Sequence, residues 1–484
     1  MKLENVSDKY KRLSLVGKAS IWFIICNILL KGISVISVPI FTRLLSTEEY
    51  GTYSLYNSWF NILTIFTSLN LYFGVFNNAM NRLKTSKEKD SFVSSMQGLT
   101  TSLSAIAGII IIPFRTYWSG IFRLSEAALC LMIVHLWIEP AVQFYLSRQR
   151  FEFKYKHAVI ITLTKSMLNP ILGVLLVVTA NYDKAIARIL SVVLAEVFVA
   201  GTILIIQFKR GSVFYSKENW KYALSFNLPL LPHYLSSVVL GQADRIMIQR
   251  YAGLDKVGVY SVAYNIGLMV QLFTNAINSS LTPWTYEKIN KNDCKAVQRY
   301  TNILLILLSA AICAMLLFVP EIVAIFGGKE YTEAIYVVPP VSCSVYFIFL
   351  YNIFAIPQMY FERQKFMSIS STAVALLNIV LNYIFINEFG YIAAGYTTVI
   401  CYLIYSLGHY LFTRKVLREN AKNMKLYDEK IILAVSLFVL ICSVGFNYLY
   451  KVAFLRYSIF AFICVIAYLN KNKIITVYKT ITEK

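Results

Sequence analysis

Seven ionisable residues stand inside long apolar stretches of this chain: Lys31, Glu139, Lys165, Glu196, Asp244, Arg245 and Glu321. A charge at hydrocarbon depth costs ~2.5–3.5 kcal/mol on insertion scales, so each must meet a partner or a water-filled cavity. Lys31 has Asn27 four residues before it and Ser34 three after, which puts all three on one helix face. Lys31, Lys165 and Arg245 together offer a cationic lining for a phosphate-bearing or otherwise acidic substrate, and Arg suits bidentate phosphate contact. The competing reading makes Lys165 a structural bridge to Glu139 or Glu196, and Arg245 a bridge to an adjacent acid. Glu139, Glu196 and Asp244 are carboxylates able to take up a coupling proton or Na⁺ in a desolvated site. His233 is a further candidate proton carrier, although a lone His is more often a hydrogen-bonded packing residue. Glu321 lies near a span end and can simply reach water.

The elements that hold these residues are helices. Apolar runs of about 20 residues, the length that crosses a ~30 Å hydrocarbon layer, recur fourteen times between residues 19 and 469. Most of the 46 Lys and Arg fall in alternate connections, the asymmetry that orients membrane proteins with cationic loops inside. Both termini are therefore expected in the cytoplasm. In the stretch from residue 222 to 248, Pro229 and Pro232 remove backbone donors from the first turns, so that helix is expected to be bent or broken. No connection exceeds about 18 residues, too short for a separate catalytic domain.

The chain also carries an internal echo. Shifted by 207 positions, Arg43, Gly51, Tyr53 and Ser54 fall on Arg250, Gly258, Tyr260 and Ser261; shifted by 209, Leu168, Asn169, Leu172, Tyr182 and Ala185 fall on Leu377, Asn378, Leu381, Tyr391 and Ala394. Six spans per copy is an even number, so both copies enter the membrane in the same sense, as parallel repeats. The expected architecture is an all-α polytopic membrane protein with about 14 transmembrane helices: two parallel six-helix repeats around a central cavity, plus two C-terminal helices. Its divisions are an N-terminal lobe over 1–210, a second lobe over 211–418, and two extra helices with a tail over 419–484. Duplicated halves of this kind suit alternating access.

Composition narrows the class further. With 57% hydrophobic and 15% charged residues over 484 positions, the chain is not a soluble enzyme. The net charge of +21 sits in loops beside anionic headgroups, so membrane lipids and not nucleic acid are its expected partners. The eight Cys include no CxxC pair, and no metal site is expected. There is no P-loop, GxGxxG after a strand, HExxH or GxSxG, so nothing argues for enzymatic chemistry or a cofactor beyond coupling H⁺ or Na⁺.

Three stretches carry a resemblance. Phe41-Thr42-Arg43-Leu44-Leu45-Ser46 with Glu49-Tyr50-Gly51-Thr52-Tyr53, then Ala243 to Ile248 with Val257-Gly258-Val259-Tyr260-Ser261, then Leu377-Asn378 to Ile386 with Phe389-Gly390-Tyr391, resemble the bacterial polysaccharide repeat-unit flippases of the multidrug, oligosaccharidyl-lipid and polysaccharide exporter superfamily. The resemblance implies translocation of undecaprenyl-diphosphate-linked oligosaccharides for O-antigen or capsule, from the inner to the outer leaflet of the bacterial cytoplasmic membrane. It implies as partners the lipid-linked oligosaccharide, a polysaccharide polymerase and chain-length machinery. It also singles out Arg82, just inside after Asn77-Asn78, as a residue to meet the incoming diphosphate, though a topology charge explains it equally well. The alternatives are an ion-coupled exporter of small molecules and a membrane polysaccharide polymerase or ligase; the last usually needs a sizeable outer loop, and every outer loop here is short.

Overall fold

In the computed structural model, which describes residues 14–363, 365–421 and 424–469, fourteen long helical segments follow one another. They are α1 (Leu15–Leu44), α2 (Thr47–Ser68), α3 (Ser86–Ile111), α4 (Glu126–Phe151), α5 (Tyr155–Thr179), α6 (Lys184–Gly211), α7 (Lys217–Ala252), α8 (Leu254–Asn290), α9 (Cys294–Leu317), α10 (Val338–Tyr360), α11 (Lys365–Phe389), α12 (Ala393–Asn420), α13 (Glu429–Leu449) and α14 (Ala453–Leu469). The described residues contain no strand. The protein is thus an all-α polytopic membrane protein. The basic residues 1–13 and the tail from 470, both expected on the inner side, lie outside the described residues.

Eleven of the segments are long and apolar enough to cross a membrane. The other three are α2, α12 and the 17-residue α14. Polar side chains within α2 and α12 are covered by protein: Ser54, Ser58, Thr67 and Ser68 in the first, Thr397, Thr398, Ser406, His409 and Thr413 in the second. Several return their hydroxyls to their own backbone, as Ser58 does to the Ser54 carbonyl at 3.1 Å and Thr67 to that of Leu63 at 3.2 Å. A helix sheltered by its neighbours needs no continuous apolar surface for lipid, which lowers its hydropathy.

Local signals set the helix starts. Ser46 and Glu49 form a capping box on α2, the Glu49 carboxylate accepting from the Ser46 N–H at 2.8 Å and the Ser46 hydroxyl accepting from that of Glu49 at 3.2 Å. Thr85 and Glu88 repeat the device on α3. In α7, a 3₁₀ turn at Leu228–Leu230 interrupts the helix beside Pro229 and Pro232. The π-helical turn Val197–Gly201 does the same for α6, directly after Glu196.

The chain divides into two compact units, Met1–Val238 and Val239–Lys484, the division falling inside α7. The first has a core under its short connecting helix Gly74–Arg82, where Leu71, Val75, Phe76, Met80, Phe92 and Phe144 are buried. The first part of α7 is tied to this unit by Asn227, whose amide donates to the Leu69 carbonyl at 2.7 Å, and by Trp220, whose indole donates to that of Ser95 at 3.0 Å. Glycine is required at position 98, where a Cβ would stand 2.0 Å from the Phe214 carbonyl oxygen.

At the centre of the second unit is α10, nearly all of whose residues from Val338 to Gln358 are buried. Helix α13 is fastened to it by Tyr346 against Ser436 at 3.2 Å, and the Tyr427 phenol before α13 donates to the Ile353 carbonyl at 2.8 Å. Helix α14 is held by Arg456, which grips both carboxylate oxygens of Glu321 at 2.9 and 2.8 Å and donates to the Leu317 carbonyl at 2.6 Å.

Candidate functional site

In each unit a buried polar cluster is built around one charged residue. In the second, Asp244 of α7 is fully buried. Its carboxylate accepts from the Tyr260 phenol at 2.6 Å, the Asn382 amide at 2.6 Å and the Thr398 hydroxyl at 3.1 Å, which joins α7, α8, α11 and α12. Asn382 also donates to the side-chain amide oxygen of Asn378 at 3.2 Å and accepts from the Thr397 hydroxyl. Arg245, next along the chain, turns elsewhere: to the Ser261 hydroxyl at 3.1 Å, to the Gly241 carbonyl at 2.9 Å, and against the Tyr264 ring at 4.5 Å. The two opposite charges are neighbours without a close ion pair. The carboxylate, amide and hydroxyl oxygens of Asp244, Asn378, Asn382 and Thr398 form a set of hard ligands able to hold a small monovalent cation or a proton.

The corresponding cluster of the first unit is centred on a cation. Arg188 of α6 is 4% exposed. It donates to Asn169 at 2.7 Å, Ser191 at 2.9 Å and the Tyr53 phenol at 3.3 Å, and stacks on the Phe41 and Tyr53 rings at 3.9 and 4.7 Å. Tyr53 and Asn169 are the residues that the repeat windows align with Tyr260 and Asn378. A Cβ at Gly173 would stand 2.8 Å from the guanidinium, so glycine there makes room for it.

Also in the first unit, Lys165 of α5 meets Glu196 of α6 at 2.6 Å. Glu139 of α4 is 8% exposed, accepts from the Gln143 amide at 2.7 Å and lies in the field of both. These three charges, far apart in sequence, are brought together. His135, one turn before Glu139, faces the Tyr56 phenol at 3.2 Å and stacks on Phe60 at 3.8 Å.

The remaining sequence candidates are dispersed. Lys31 is exposed on α1, and no described residue forms an ion pair with it. Asn27, one turn earlier, lines a cavity of about 440 Å³ with Phe23, Leu30, Arg150, Val159 and Thr162. Arg82 is exposed and lies over the Tyr222 ring at 5.2 Å. His233 is half-buried beside Tyr234, ring centres 6.1 Å apart.

Arg150 was not singled out by its sequence position, since it reads as one of several cations in an inner connection. It lines the cavity that holds Asn27 and also a second cavity of about 560 Å³ with Tyr72, Phe73, Asn77, Asn81 and Ser147. No described residue pairs its guanidinium by hydrogen bond or ion pair. A cation flanked by amides, a hydroxyl and aromatic faces is a setting for a phosphate with sugars attached. Arg188 was also missed, because it stands within the first turns of α6 and counts as an outer charge; the repeat offset pointing from Asn378 back to Asn169 was the available signal.

Comparison with known proteins agrees with this architecture. A family model described as "Polysaccharide biosynthesis protein" matches residues 16–289, and one described as "MatE" matches 229–384. A Haloferax volcanii protein named "Probable low-salt glycan biosynthesis flippase Agl15" is 22% identical over 82% of this chain and 83% of its own length. A Haemophilus influenzae membrane protein is 25% identical over 70% of this chain and 83% of its own. Among solved structures, the inward closed conformation of the lipid II flippase MurJ superposes with a TM-score of 0.70 at 16% identity, over 94% of this chain and all of that one. An inward-facing multidrug resistance MATE transporter superposes with a TM-score of 0.64, also at 16% identity, over 81% and 96% of the two chains.

Proposed function

The chain belongs to the polysaccharide biosynthesis protein family; we propose that it is a flippase of the multidrug, oligosaccharidyl-lipid and polysaccharide superfamily and not an enzyme, and that its cargo is an undecaprenyl-diphosphate-linked oligosaccharide of O-antigen, capsule or a related surface polysaccharide. The observation that carries this reading is the unpaired Arg150 shared by two polar cavities, with Asn27, Asn77, Asn81 and Ser147 around them. Diphosphate recognition calls for an uncommitted guanidinium, and sugar recognition calls for amides, hydroxyls and aromatic faces. Arg82 and Lys31 are further cations of the first unit for the acidic head, while the prenyl tail remains in lipid and only the head crosses.

In this proposal the chain works by alternating access in the bacterial cytoplasmic membrane, with both termini inside. The Asp244 cluster holds the coupling H⁺ or Na⁺; the polymerase and chain-length proteins act on the delivered units. The experiment is a deletion strain: loss of the gene should trap lipid-linked units on the inner side, whereas single units displayed outside would mark a polymerase instead. A second reading, export of small molecules, is favoured by the MatE match over 229–384. It predicts drug resistance on overexpression with surface glycan unchanged.

A further inference from the structure

The first unit places two buried carboxylates beside one half-buried ammonium. Glu196 is 1% exposed and Glu139 is 8% exposed. Lys165 touches Glu196 at 2.6 Å, and its field reaches Glu139. With both acids ionised, the group carries a net negative charge at a depth where an unbalanced charge costs several kcal/mol. Among the described residues none donates a hydrogen bond to the buried oxygens Glu139 Oε2 and Glu196 Oε1.

Lys165 is the one cation among the described residues whose field reaches Glu139. On α4, His135 faces Tyr56 of α2 and lies in the field of Lys165, while Arg148 is engaged by Asp90 of α3 and by Glu152 at 2.9 Å. On α6, Arg188 is committed to Asn169, Ser191 and Tyr53. Tyr72, in range of Glu139, is a neutral phenol. The π-helical turn starts at the residue after Glu196, a feature frequent at functional sites.

We propose that Glu139, beside the Lys165–Glu196 pair, binds one exchangeable proton, making this triad a proton site of the first unit separate from the Asp244 cluster. Binding converts one carboxylate to a carboxylic acid, leaves the group neutral, and turns an unanswered oxygen into a donor. The use of the site in driving transport rests on the flippase reading; proton occupancy does not, and is measured without cargo.

The test is infrared difference spectroscopy on the purified full chain in nanodiscs, stepping pH in H₂O and D₂O. Wild type should show a buried protonated-carboxyl band that shifts on deuteration and persists in a D244N background. Glu139→Gln and Glu196→Gln each leave one acid with one lysine, so each should abolish the band. Lys165→Met leaves two acids unbalanced and should raise the band about twofold, on the count of one ammonium against two carboxyls. A band absent from wild type, or retained in both Gln variants, or unchanged in Lys165→Met, overturns the proposal. Having two Gln variants keeps the test open should one fail to fold, and a failure to move lipid-linked oligosaccharide would leave the spectra as they are.

Discussion

Replacing Asp244 with Ala should destabilise the second unit more than any other single truncation of its polar side chains. The carboxylate accepts three hydrogen bonds from three helices. Hydrogen bonds between membrane helices average ~0.6 kcal/mol, and those to charged acceptors reach ~1.5 kcal/mol or more. Three of them amount to about 2–5 kcal/mol, because Tyr260, Asn382 and Thr398 keep their donors in a dry interior when the acceptor is removed. Tyr260→Phe removes one bond and should cost about 1 kcal/mol. The assay is thermal unfolding of purified protein in detergent, followed by tryptophan fluorescence, where Asp244→Ala should lower the midpoint by on the order of 10 °C. In the double variant the Tyr260→Phe loss should vanish, since its partner is already gone. A midpoint equal to wild type for Asp244→Ala, or full additivity in the double variant, would refute the hub.

Other expectations follow from the same contacts. The Arg456 grip holds the Glu321 carboxyl down at about 2, helped by the Tyr457 phenol. A lowered carboxyl stabilises the fold fully above the ordinary carboxylate range and loses that contribution as pH falls toward about 2; Arg456→Met should therefore flatten the acid limb of a melting-point-versus-pH curve, and an unchanged limb would disprove the link. Gly98→Ala should cost at least about 1–3 kcal/mol, since the intruding methyl meets backbone and not a mobile side chain; a melt indistinguishable from wild type would contradict the close approach. Lys31→Ala and Arg245→Ala should each reduce surface glycan severalfold at matched protein level, and normal glycan in both would remove them from the cargo path.

Much of the fold was legible because membrane helices write their length into the sequence. The fourteen apolar runs correspond to fourteen long helical segments, and Pro229 and Pro232 marked the 3₁₀ turn in α7. Hydropathy is a weaker guide for α2 and α12, where protein covers one face and polar side chains there return hydrogen bonds to backbone. The pairing of Lys165 with Glu196 was among the partners that adjacent spans suggested, and the structure selects it. What remained hidden were partners supplied by uncharged residues. Nothing in one sequence tells that Tyr260, Asn382 and Thr398 converge on Asp244, or that Arg188 is buried against aromatic rings, because hydroxyls and amides occur throughout the spans. Glu321 read as a residue free to reach water; its partner Arg456 lies 135 positions on and is brought to it only by the docking of α14.

The most direct test of the transport assignment is reconstitution of the purified chain in liposomes with a fluorescent undecaprenyl-diphosphate-linked repeat unit, reading how fast label in the inner leaflet becomes accessible to an external quencher under imposed H⁺ and Na⁺ gradients. Acceleration over protein-free vesicles, dependent on one of the gradients and lost with Arg150→Ala, is the predicted result. Correctly folded protein that moves no label under any gradient would contradict it.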